Sequence, residues 1–271
     1  MCDALVKCVA HSKFPLVFPR RSVIIRQVGQ IGNLPYIHQE ETLVNDLRQI
    51  HRFCVNHLVY PLVLSSLLAC GLFAARVVFS RHWTYDFLVW NLFLAWIPYI
   101  CSELVALTHQ RFPRAWWLMV IPSLLWLIFL PNAPYIITDW WHLDERAPVP
   151  TWYDIGLLAM FAWSGLFLGV ASLNRMQKII REYVGGFVSW LFVFGTIGAS
   201  GLGIYLGRFL RWNSWDLFSQ PWEIITDVMQ RFAHPRQNPG AIGFTILFAM
   251  FFCVCYLTFI SMEQRQEERI Q

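Results

Sequence analysis

Apolar residues in this chain seldom alternate with polar ones; they run on in stretches of roughly twenty. Six such stretches extend from Leu58 to Ser80, Asp86 to Leu107, Trp116 to Leu130, Tyr153 to Leu173, Val184 to Gly207 and Ala241 to Met262. A hydrocarbon core about 30 Å thick takes roughly 20 helical residues to cross, and backbone in lipid must bond to itself. Each stretch therefore predicts a transmembrane α-helix, and together they predict an all-α fold, a six-span transmembrane helical bundle. The third stretch is short and runs into Pro131 and Pro134. Proline removes a backbone donor and disfavours helix in the residue before it. The third helix is therefore expected to be broken, with residues 131–143 continuing crookedly or lying at the membrane surface.

Outside these stretches the chain divides simply. Residues 1–57 form a basic N-terminal segment, partly disordered, 58–262 the transmembrane domain, and 263–271 a short tail. Leu43, Leu47, Ile50 and Phe53 recur at helical spacing with Arg48 and Arg52 off that stripe, a pattern that fits either a surface-lying amphipathic helix or a basic linker. No apolar run followed by a small-residue cleavage site marks a signal peptide.

Composition sharpens the membrane reading. Of 271 residues, 56% are hydrophobic and only 14% charged, against about a quarter charged in soluble domains, which excludes disorder and argues against a water-soluble globule. The net charge of +4 matters less than its distribution. With both termini on one side, fourteen of the 21 Lys and Arg fall on that side, including every lysine. The positive-inside rule makes it cytoplasmic, in an inner membrane. The seven cysteines form no C-x-x-C pair and no zinc spacing, so no disulfide framework and no metal site are expected. Neither a nucleotide loop nor a G-x-S-x-G or H-E-x-x-H motif is present, no cofactor is implied, and the basic residues are too sparse for nucleic acid.

Four stretches resemble a known family. They are Asp86-Phe-Leu-Val-Trp-Asn-Leu-Phe-Leu-Ala-Trp-Ile-Pro98, Leu130-Pro-Asn-Ala-Pro-Tyr-Ile-Ile-Thr-Asp139 with His142-Leu143, Trp152-Tyr-Asp-Ile155, and Gly203-Ile-Tyr-Leu-Gly-Arg-Phe-Leu-Arg-Trp-Asn-Ser-Trp-Asp216. The chain is similar over roughly 58–262 to multi-pass bacterial membrane proteins catalogued as a domain of unknown function, DUF1361. The resemblance implies the membrane architecture and brings no reaction with it.

Every one of those stretches puts its polar residues at the outer surface. Asp86 and Asn91 open the second span, Asn132, Thr138, Asp139 and His142 follow the third, Asp154 opens the fourth, and Arg208, Arg211, Asn213 and Asp216 follow the fifth. On helices, Asp139 and His142 share a face, as do Arg208 and Arg211, and Asn213 and Asp216. The arginines would fork onto a phosphate or carboxylate, Asp139 and His142 are the candidate acid–base pair, and Asn132, Asp86 and Asn91 complete the candidate ligand set. Alternatively the same charges tie span ends together as ion pairs. Asp144 and Glu145 are near enough in sequence to add ligands, but D-x-x-H alone is a weak metal signal. The outward tryptophans fit an aromatic belt, with Trp212 and Trp215 spaced to form a platform.

Seven of the 15 glycines lie in the fifth span. Gly203-x-x-x-Gly207, Gly195-x-x-x-Ala199 and, in the fourth span, Gly165-x-x-x-Gly169 let backbones approach closely. They suggest that spans four and five pack together or that the fifth meets a partner membrane protein. Glu103 is the one carboxylate well inside a span, expected to pair with a neighbour such as Arg111 or to reach the inner surface; so bare an interior gives little support to an ion-coupled transporter. Three functions remain open: a component binding an anionic lipid headgroup or partner protein, a membrane enzyme acting on a lipid-linked substrate, and a small-molecule permease.

Overall fold

The computed structural model describes residues 58–143, 148–233, 236 and 238–270, together with Arg48, His51 and Cys54. The stripe expected over 40–53 lies outside the described residues apart from Arg48 and His51, as do Asp144 and Glu145. Described elements are helical throughout. α1 is Val59–Ser80 and α2 Asp86–Arg111; a 3-10 turn, Trp116–Met119, leads into α3, Val120–Phe129. α4, Asn132–Tyr135, passes directly into a 3-10 segment, Ile136–His142. α5 is Thr151–Phe209, α6 Asp216–Ser219, α7 Pro221–Ala233 and α8 Pro239–Ile270. Among the described residues, five helical stretches are long and apolar enough to cross a membrane: Val59–Ser80, Asp86–Arg111, Trp116–His142, Thr151–Phe209 and Pro239–Arg265.

Proline shapes the third of these. Pro131 and Pro134 have no N–H to give, and the ladder switches register there. Ala133 bonds back three residues to the Leu130 carbonyl (3.1 Å), while Tyr135 bonds back four to Pro131 (3.1 Å). The backbone stays near right-handed helical angles, with Pro131 at φ −58, ψ −26 and Ile136 at φ −55, ψ −25. Thus 116–142 is one helical run of mixed pitch, and its 3-10 turns rise faster per residue than α-helix.

The 59 residues of α5 would measure about 88 Å if straight, nearly three membrane cores. They are not straight. Gly185 has φ 81, ψ 176, a conformation reserved for glycine, and it divides the element into arms 151–184 and 186–209. A Cβ on Gly165 would meet Ala133 O at 2.6 Å and Ile136 Cδ1 at 2.7 Å, and one on Gly203 would meet Pro131 at 2.7 Å. Residues 165 and 203 would stand about 57 Å apart on a straight helix, yet both touch the short Pro131–Ile136 segment. The chain therefore folds back at Gly185 into two antiparallel arms.

That segment lies between the arms. Gly165 and Gly169 face Ala133 and Ile136, Gly207 faces the Tyr135 ring at 3.1 Å, and Gly201 admits Thr245 O and Ala249 of α8. These glycines thus receive the Pro131–Ile136 segment and α8, because small-x-x-x-small spacing reports a close approach without naming who approaches, while Leu173 and Val193 of the two arms share one apolar cluster. Gly195 and Gly198 face open space.

Two apolar clusters result. One joins Trp126 and Leu130 to Leu173, Val193, Phe252 and Tyr256. The other joins Phe73 and Leu92 to Ala133, Ile136, Leu157 and Phe161. The first arm of α5 contributes to both and is the wall from which the site hangs.

Candidate functional site

Thr138, Asp139 and His142 ride on the 3-10 segment Ile136–His142, whose three-residue turn places positions 139 and 142 one above the other. The second arm of α5 ends beside them and delivers Arg208. Its Nη2 donates to Asp139 Oδ1 (2.7 Å) and to Thr138 Oγ1 (2.7 Å), and its Nε donates to the same hydroxyl (3.0 Å). Its Nη1 lies 3.0 Å from His142 Nε2. A guanidinium only donates, so Nε2 accepts. The Tyr135 ring lies 4.9 Å from the guanidinium carbon. Asn91 of α2 donates to the other Asp139 oxygen, Oδ2 (2.8 Å). Both carboxylate oxygens are thus engaged, with the Asp139 side chain 2% exposed and that of Arg208 13%.

Asn91 and Tyr135 also line a pocket of about 310 Å³ in front of this pair. Its walls include Trp90, Trp212 and Trp215, and its polar lining includes Asn132, Asn213 and Ser214. Asn132 Nδ2 donates to Ser214 Oγ (2.8 Å) and to the Phe129 carbonyl (3.0 Å), fastening the loop after α5 to the break after α3. Asp216 Oδ2 accepts from the Asn213 backbone N–H (2.7 Å) and side-chain Nδ2 (3.2 Å), closing the turn that begins α6. Trp212 Nε1 donates to Asp227 Oδ2 of α7 (2.9 Å), which fixes that indole as a wall.

Arg211 stands apart from Arg208. It is exposed and has φ 60, a left-handed conformation usually left to glycine at helix ends, and it turns the chain so that Trp212 N–H reaches the Leu206 carbonyl (3.2 Å). Among the described residues its guanidinium has no hydrogen bond or ion pair.

Asp86 does not join the cluster; its Oδ1 accepts from the next N–H, Phe87, at 2.8 Å, inside the first turn of α2. Asp154 is engaged elsewhere. Arg76 of α1 grips it with both prongs, Nε to Oδ1 at 2.7 Å and Nη2 to Oδ2 at 2.9 Å, the side chains 2% and 1% exposed. The sequence analysis set Asp154 among the polar residues of the outer surface and did not find this pair. The only signal for it was an arginine inside an apolar span. Tyr85 connects the two charge pairs: Arg76 lies over its ring at 4.6 Å, and its hydroxyl donates to the His142 carbonyl at 3.4 Å. At the other end of α2, the structure brings Arg175 Nε to Glu103 Oε1 at 3.1 Å.

A family model described as a protein of unknown function, DUF1361, matches residues 90–255. That stretch contains Asn91, Asn132, Asp139, His142, Arg208, Arg211, Asn213 and Asp216. No curated protein and no solved structure matches the chain.

Proposed function

The chain belongs to the family of proteins of unknown function DUF1361, and from that premise we propose that it is an inner-membrane binding component whose outer pocket takes an anionic lipid headgroup. The matched stretch holds the pocket and the ion pair behind it, so the site belongs to the part that defines the family. Counting the two arms of α5 separately gives six crossings. Six crossings, with 116–142 as a full span whose helix bends at its prolines, return both termini to the cytoplasmic side, in keeping with the distribution of Lys and Arg.

One observation carries the reading. A pocket of about 310 Å³, the size of a small-molecule site, opens in front of an ion pair held from three elements, with Asn91 belonging to both. Arg208 and Asp139 neutralise each other and serve as the frame. The charge that meets a ligand comes from Arg211, whose neighbours Trp212 and Asn213 line the pocket. His142 accepts from Arg208 and forms part of the frame, so nothing favours the enzyme reading over binding.

Native mass spectrometry of the full-length protein in mixed micelles with phosphatidylglycerol tests this. Wild type should retain the lipid, Arg211→Ala should lose it while melting at the same temperature, and Asn132→Ala should weaken it. Retention undiminished in Arg211→Ala would remove the outer site from the account.

A further inference from the structure

A second opening lies between α2, the first arm of α5 and α8, at the end of α2 away from Asn91. It holds about 770 Å³. We propose that this groove binds one phospholipid with a zwitterionic headgroup, a site separate from the outer pocket and independent of that reading.

Length is the first argument. Along the first arm the lining begins at Trp163 and ends at Lys178, fifteen residues or about 22 Å of helix. One leaflet with its headgroup layer is half of about 40–45 Å, so the groove runs the depth of one leaflet.

Polarity along the groove is the second. Trp163, Leu166, Phe167 and Val170 line its far part, with Val254 facing them from α8. Among the described residues, the charged groups of the lining gather at the near end. Lys178 Nζ donates to Glu263 Oε1 (2.6 Å), Asn174 Nδ2 to Glu263 Oε2 (3.0 Å), and Arg175 Nε to Glu103 Oε1 (3.1 Å). An apolar trough, about 12 Å of helix from Trp163 to Ala171, thus ends in a polar rim, the profile of a lipid standing beside the helices with the upper part of its chains in the trough.

The charges of the rim choose the headgroup. Among the described residues two cations, Arg175 and Lys178, alternate with two carboxylates, Glu103 and Glu263, so that their charges balance and each sign is present twice. An anionic headgroup drawn to the cations would also face both carboxylates. A phosphate joined by a short linker to an ammonium satisfies both signs, with phosphate at Lys178 and Arg175 and ammonium at Glu263 and Glu103. Lys178 and Glu263 are 49% and 31% exposed, and pairs so open contribute little to stability, so their exchange for ligand contacts is easy.

The full-length protein in mixed micelles containing equal phosphatidylethanolamine and phosphatidylglycerol, read by native mass spectrometry, tests the assignment. Thr258→Trp, on the exposed wall of the groove, should abolish retention of the ethanolamine lipid while leaving the melting temperature and the Arg211-dependent adduct unchanged. Glu263→Gln makes the rim cationic and should shift preference toward the glycerol lipid by roughly tenfold, the scale of one charged contact; Lys178→Gln should shift it the other way. Ethanolamine-lipid retention that ignores Thr258→Trp, or a headgroup preference that both rim variants leave unmoved, would overturn the proposal.

Discussion

Three arginines on neighbouring helix ends meet three different fates, and the differences are energetic. Arg76 is buried against Asp154 with two hydrogen bonds. Removing one partner of such a pair leaves an uncompensated buried charge, which costs far more than removing both. Asp154→Leu should therefore destabilise by about 3–5 kcal/mol, and Arg76→Met with Asp154→Leu should recover most of that loss in detergent melting; a double variant as unstable as the single would mean the pair is worth more than its desolvation. Arg208 is engaged along its whole guanidinium. Arg211 is exposed and held at φ 60, where a side chain is disfavoured by roughly 1–2 kcal/mol. Arg211→Gly relieves that strain while loosening the unfolded chain, so its melting temperature should match or exceed wild type while headgroup retention falls. A melting temperature clearly below wild type would show that Arg211 is part of the frame. Sequence spacing had allowed Arg208 to pair with Asp139, because both sit at span ends on one surface. The Arg76–Asp154 pair was not legible, since Arg76 stands inside an apolar run, four residues before the end of α1, and was not among the polar residues assigned to the surface.

Helices explain why those residues meet. The segment Pro131–Ile136 lies between the arms of α5 because Gly165, Gly169 and Gly203 leave it room. A methyl at Gly203 would press on the Pro131 ring at 2.7 Å, a rigid neighbour that cannot swing away. Gly203→Ala should cost about 1–3 kcal/mol, the usual range for overpacking, whereas Gly198→Ala, facing open space, should be tolerated. Equal melting temperatures for the two would deny the wedge its role. The glycines themselves were readable as contact points and the prolines as a break. What the sequence withheld was the partner, because a motif of small residues is silent about which backbone fills it. The turn at Gly185 was likewise hidden in a pair of adjacent glycines between basic residues and an apolar run.

At the scale of the whole molecule, the fold-back at Gly185 determines which way the rest of the chain runs. Antiparallel arms place Arg208 beside Asp139 at the end of the second arm, and α8 runs in the direction of the first arm. Contacts between Gly169 and Phe252 and between Asn174 and Glu263 agree with that parallel course. The proposed six crossings would place residues 12 and 271 on one side, whereas five, with 116–142 only dipping into the bilayer, would place them on opposite sides. In a chain with its seven cysteines replaced, Ser12→Cys and Gln271→Cys should both resist a membrane-impermeant maleimide on intact cells and both react after permeabilisation, while Ser219→Cys, between α5 and α7, should react from outside at once. Labelling of residue 271 on intact cells would mean an odd number of crossings.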